Sequence, residues 1–235
     1  MRRTRAGLRL AVVPALLIVM LLSSCASAPR RGPDQAPPAR ATEDPSIVSL
    51  RGTLAEGARS VVGKKELVVR GRRFTMDCTG VVLAVYWYAG IDLAQDFGKY
   101  GGGGVTRIYR TLEGEGLLYD SSHPLVGDVI FWDNTYDRDG DGQWDDSLTH
   151  VGMVTEISDD GTVAYVHFNV HTGIVIEHMN LLTPAAHSRM EWGHPRILNS
   201  PLRLAERGKP HPPQWLAGQL YRILGMGYLL SMGGS

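Results

Sequence analysis

Three residues have the types and placement from which a nucleophilic catalyst is built: Cys78, His150 and His167. Cys78 sits in the run Asp77-Cys78-Thr79-Gly80-Val81-Val82-Leu83-Ala84-Val85-Tyr86-Trp87-Tyr88-Ala89-Gly90. From Val81 onward the apolar residues recur at helical spacing, and Gly90 is a natural stop. Asp77 and Thr79 are good capping types, so the sulfur is expected in the first turn of a largely buried helix. Free backbone N–H groups and the helix dipole at that end favour a thiolate, the form in which cysteine attacks.

The histidines need elements that bring them to the sulfur. Gly127-Asp128-Val129-Ile130-Phe131-Trp132 reads as a turn and a buried strand. Thr149–Ile157 and Thr162–Asn169 read as two strands, and the four residues Ser158–Gly161 between them form a hairpin turn. With Ile157 opposite Thr162, His150 faces Asn169 and His167 faces Gly152. The two histidines then share one face as diagonal neighbours, roughly 7–8 Å apart. One imidazole can orient the other, and thiol, base and orienting group make the constellation of cysteine hydrolases. Asn169 competes with His167 for the orienting role. A further helix is expected around Leu50–Val62.

In order, Asp77-Cys78-Thr79-Gly80-Val81-Val82, Gly127–Trp132, His150-Val151-Gly152-Met153-Val154 and Val166-His167 resemble the blocks of the NlpC/P60 family, papain-like cysteine peptidases of bacterial cell walls. The resemblance covers about residues 50–185. It implies an α+β papain-like fold, with a catalytic helix packed on an antiparallel sheet. It also implies Cys78 as nucleophile, His150 as general base and His167 as the residue orienting it. Backbone N–H groups at the Asp77–Cys78 helix start would hold the oxyanion. The implied substrate is peptidoglycan, cleaved in the stem peptide at the D-γ-glutamyl–diaminopimelate bond, with no cofactor for catalysis. The stretch Glu66–Met76 departs from the family, lacking its usual Tyr and Gly-Gly before the Asp-Cys block. Two other readings stay open: an amidase or acyltransferase using the same dyad, and a non-catalytic lipoprotein that binds peptidoglycan.

The acidic run Asp137-Arg138-Asp139-Gly140-Asp141-Gly142-Gln143-Trp144-Asp145-Asp146 precedes His150. Carboxylates at positions 1, 3 and 5 with Gly at 6 match the start of a calcium loop. Asp137, Asp139, Asp141, Gln143 and Asp145 are the candidate Ca²⁺ ligands. Leu148 stands where the bidentate Glu belongs, and Asp146 can supply the missing oxygen. Gly101–Gly104 lacks a phosphate-loop ending and reads as a flexible connection, Trp87 and Trp132 as core. The remaining histidines, His171, His178, His187, His194 and His211 among them, show no metal-ligand pattern.

The chain of 235 residues carries 24 Lys+Arg and 24 Asp+Glu. Its first 24 residues hold Arg2, Arg3, Arg5 and Arg9 and no acid, so the remainder has 20 basic against 24 acidic residues. A mildly acidic body argues against nucleic acid as a partner. The basic start and the apolar run Leu10–Leu22, too short to cross a bilayer, read as a secretory signal over residues 1–24. Leu22-Ser23-Ser24-Cys25 resembles a lipoprotein lipobox, implying lipid on Cys25 and an exported, membrane-anchored protein. With Ala26 next, that means the periplasmic side of the outer membrane in a Gram-negative host. The Pro-rich residues 25–45 read as a tether. Residues 46–200 are expected to form the catalytic domain, and 201–235 a helical extension. With Cys25 lipidated, Cys78 has no disulfide partner in the chain, which itself points to a chemical role.

Overall fold

The computed structural model describes residues 34–37, 44–203 and 212–232. The expected signal segment and the lipid-bearing Cys25 lie outside the described residues. Of the expected tether, Asp34 accepts hydrogen bonds from the Ser122 backbone N–H at 2.8 Å and hydroxyl at 2.7 Å. The Gln35 N–H donates to Asp120 O at 2.7 Å. That piece is laid against the domain.

The fold is mixed helix and antiparallel sheet, α+β as expected. Helix α1 (Pro45–Val61) starts with Asp44 accepting from Ser46 N and with Pro at its first position, where the missing N–H costs nothing. A small hairpin of β1 (Leu67–Val69) and β2 (Arg72–Phe74) occupies the stretch before Asp77 that departs from the family pattern. Helix α2 (Cys78–Tyr88) follows, then α3 (Gly104–Gly114). Six strands build the main sheet: β3 (Leu118–Tyr119), β4 (Val129–Trp132), β5 (His150–Ile157), β6 (Thr162–Asn169), β7 (Gly173–Asn180) and, far along the chain, β10 (Tyr221–Gly225). Their order is β3-β10-β4-β5-β6-β7, every neighbour antiparallel. A separate hairpin pairs β8 (Ser188–Glu191) with β9 (His194–Ile197).

Helix α2 packs onto this sheet through Val81, Val82, Ala84, Val85 and Tyr86, all inaccessible to solvent. Each of the three valines is worth about 1.5–3 kcal/mol of burial. The Tyr86 hydroxyl reaches Gly127 O at 2.5 Å, which ties the helix to the turn entering β4. At its start the helix runs so close to the preceding segment that a Cβ on Gly80 would lie 2.0 Å from the Thr75 carbonyl oxygen. Only glycine fits there.

Two expectations are corrected. Among its described residues the C-terminal extension is not predominantly helical: after the short α4 (Ala217–Leu220) it forms β10 and a 3-10 turn over Gly227–Met232. β10 pairs with both β3 and β4, filling a gap that the contiguous chain leaves open. Gly101–Gly104 is no slack connection either. Gly103 caps α3, and a Cβ on Gly104 would meet Thr79 Cγ2 at 2.5 Å, so glycine serves close approach to α2. Trp132 lies in the core as expected, its indole N–H donating to Ala217 O at 2.9 Å. Trp87 is half-buried, with the Arg72 guanidinium 4.7 Å from its ring.

Candidate active site

Asp77 is the N-cap of α2, its Oδ1 accepting the Gly80 N–H at 2.7 Å. Cys78 is therefore the first helical residue, a free, half-buried cysteine. Its own backbone N–H has no protein acceptor among the described residues.

The hairpin carrying the histidines differs from expectation at its turn and agrees at its open end. Ile157 pairs with Val163, not Thr162, so the register near the turn is shifted by one. A bulge at Thr155, between Val154 and Glu156, takes the shift back, and Val154 pairs with Tyr165 and Met153 with Val166. The outer part of β5 thus has the register first expected, but the bulge restores it, not the turn. Paired positions of β5 and β6 stop at Met153. His150 Nε2 and His167 Nδ1 lie 2.8 Å apart, with ring planes at 83°. Trp132 flanks His150 with ring centroids at 5.7 Å, and Tyr165 flanks His167 at 5.1 Å.

Behind His167 stands a residue that sequence reasoning missed. Glu177 Oε2 lies 3.2 Å from His167 Nε2, an ion-pair distance at which the ring N–H is not aimed along the contact. Asn169 Nδ2 donates to Glu177 Oε1 at 3.2 Å. Asn169 therefore binds Glu177, and His167 is the residue against His150. Alternation along β7 gave Glu177 no distinction, since its neighbour across the sheet is known only once β6 and β7 pair Tyr165 with Glu177.

Asp77, Cys78, His150, His167 and Asn169 line one open cavity of about 610 Å³, which Tyr136 and Arg203 also line. Burial pushes the Cys78 thiol up and the Asp77 charge adds to this, while the N–H groups of Val151 and Thr79 and the Thr79 hydroxyl offset part of it. Burial holds the His150 imidazole well below the ordinary histidine range, and His167 adds to that. Both directions favour a neutral thiol beside a neutral imidazole.

In the acidic loop, carboxylate oxygens of Asp137, Asp139 and Asp146 lie within 4.8 Å of one another. Asp141 and Asp145 are not part of that cluster. Asp141 turns to the Gln143 backbone at 2.8 Å and side chain at 2.6 Å, and Asp145 is exposed. Among the described residues no histidine joins a group with metal-ligand geometry.

Residues 69–169 match the model of the CHAP domain. CHAP domains are typically hydrolytic cysteine/amidase domains related to NlpC/P60-type peptidases, so the match agrees with the sequence blocks in kind and differs in the family reached. It supports a hydrolase acting on peptidoglycan. No curated protein and no solved structure is matched. Glu177 and β10 lie beyond the matched residues.

Proposed function

We propose that the protein is a peptidoglycan hydrolase that cleaves a stem-peptide amide, at the D-γ-glutamyl–diaminopimelate bond, through Cys78, His150 and His167. The observation that carries this reading is the single cavity lined by Cys78 and His150, with His167 2.8 Å behind the base. In the first step His150 removes the thiol proton as sulfur attacks the amide carbonyl. Base and attack act together in this step. The Cys78 backbone N–H, free at the helix start, donates to the oxyanion. The imidazolium then protonates the leaving amine and a thioester remains. Water, deprotonated by His150, hydrolyses it and restores the thiol.

Cys78→Ala should abolish release of peptide fragments from purified peptidoglycan while leaving the fold intact. Retained activity in that variant would refute the proposal. The mass of the released fragment names the bond: a free diaminopimelate amine supports the endopeptidase, and a lactyl-terminated glycan would identify an amidase at the muramoyl–alanine bond instead.

We further propose that the protein is exported and held at the membrane by lipid on Cys25, which brings it to its substrate. The lipobox-like sequence supports this, and mass spectrometry of the mature N-terminus tests it. The acidic loop is proposed to take Ca²⁺ on Asp137, Asp139 and Asp146, a set revised from the sequence reading. Asp146 supports it: it is 2% exposed and its Oδ1 accepts no hydrogen bond, the nearest cation being Arg138 Nε at 3.7 Å. Oxygen donors of this kind suit a hard cation.

A further inference from the structure

We propose that Glu177 is a positioning residue of this site, acting through His167 to fix the tautomers of both imidazoles. The inference rests on the reading of Cys78 and His150 as nucleophile and base, and it adds a residue from a strand outside the CHAP match.

A neutral imidazole carries one N–H, so naming the nitrogen that bears it also names the one that accepts. His167 is 1% exposed, and its Nε2, which has no hydrogen-bond partner among the described residues, lies 3.2 Å from Glu177 Oε2. Burial pushes the Glu177 carboxyl up, but His167, Asn169 and Tyr165 together outweigh it and hold the group below the ordinary range. It is an anion at neutral pH. In the neutral His167 ring a lone pair 3.2 Å from that anion would be repelled and an N–H, even one not aimed along the contact, is attracted, so the proposal places the proton on Nε2. Nδ1 is then bare and accepts from His150 Nε2 at 2.8 Å. His150 must hold its proton on Nε2, and its Nδ1 is left as the nitrogen free to take the thiol proton. When His150 becomes an imidazolium, the same carboxylate stabilises the charge through His167.

The pairing of strands makes this arrangement possible. Tyr165 pairs with Glu177 and His167 with Val175, so Tyr165, His167 and Glu177 share one face of the sheet. The Tyr165 hydroxyl stands 3.5 Å from Glu177 Oε2, and Asn169 holds the other oxygen. The groups facing the His167–Glu177 pair are thus His150 from β5 and Tyr165 and Asn169 from β6. No cation other than the imidazoles is among them.

Two measurements on the full chain test this, and neither needs the wall substrate. The nitrogen shifts of His167 in ¹⁵N-labelled wild-type protein should report the Nε2–H tautomer; the Nδ1–H tautomer would overturn the proposal. The rate at which iodoacetamide alkylates Cys78 at pH 7 should fall about tenfold or more in Glu177→Gln and recover in part in Glu177→Asp. An unchanged rate in a folded Glu177→Gln protein would overturn it too. With peptidoglycan as substrate, kcat should fall by about the same factor and KM should hold. Should wild-type protein release no wall fragments, the hydrolase reading fails while the tautomer and alkylation results still judge Glu177. Should the Gln variant not fold, the wild-type tautomer decides.

Discussion

Taking a thiol and an imidazole out of water penalises whichever form carries charge, and burial is the leading cause of the shift at both Cys78 and His150. The second cause at the thiol is Asp77, whose carboxylate caps α2 next to the sulfur. Cap and nucleophile therefore work against each other: the carboxylate that orders the helix start also disfavours the thiolate. Asp77→Asn keeps a capping side chain and removes the charge. Its sign follows directly, since loss of a nearby anion lowers the thiol and raises the thiolate fraction at a given pH. Alkylation of Cys78 near pH 8 should be several-fold faster in Asp77→Asn than in wild type. A slower or equal rate would show that Asp77 does not set the thiol's charge state.

At the scale of elements, the site depends on the β5–β6 hairpin and on the loop that leads into it. The bulge at Thr155 restores the register that puts His150 and His167 on one face, and the Thr155 hydroxyl is held by Ala164 O at 3.1 Å. Upstream, the acidic loop is tied to the strand ends by Asn134 N to Asp146 O at 2.7 Å and Leu148 N to Asp133 Oδ1 at 2.7 Å. A cation on Asp137, Asp139 and Asp146 would relieve their repulsion and fix the segment that delivers His150. Added Ca²⁺ should raise the melting temperature by a few degrees, and chelator should reverse it. Asp146→Asn should abolish the response, since ligand binding to the folded state stabilises it by mass action. A melting temperature indifferent to Ca²⁺ would retire the cation.

Across the whole molecule, distant parts of the chain meet at Asp128. Its carboxylate, inaccessible to solvent, is reached by the Tyr119 hydroxyl from β3, the Leu125 N–H at 2.6 Å and the Tyr228 hydroxyl from the C-terminal turn at 3.1 Å. Burial raises this carboxyl to about 7 from 3.8, and the donors from Tyr119, Leu125 and Tyr228 only moderate the rise. Between those values the folded protein keeps a proton that the unfolded chain has released. Stability should therefore decline as pH rises through that window, by at most about 4 kcal/mol from this group. Denaturant titrations at pH 4.5 and 7.5 should show a smaller difference for Asp128→Asn than for wild type. Equal differences would mean that Asp128 is ionised in the folded state.

Cys78, His150 and His167 were readable from sequence because local rules govern them. A capping Asp, helical periodicity and a stop at Gly90 place the sulfur, and strand alternation puts both imidazoles on one face. Helix α1 and the α+β class were legible for the same reason. Glu177 and the role of β10 were not, because each depends on which distant backbone lies alongside. Alternation says which side of a strand a residue faces, but not who its neighbour is. Only the packed sheet decided that β10 enters between β3 and β4, and that a carboxylate from β7 stands behind the histidine pair. Likewise the burial that pushes the Cys78 thiol up is not visible in a helix N-terminus seen in isolation.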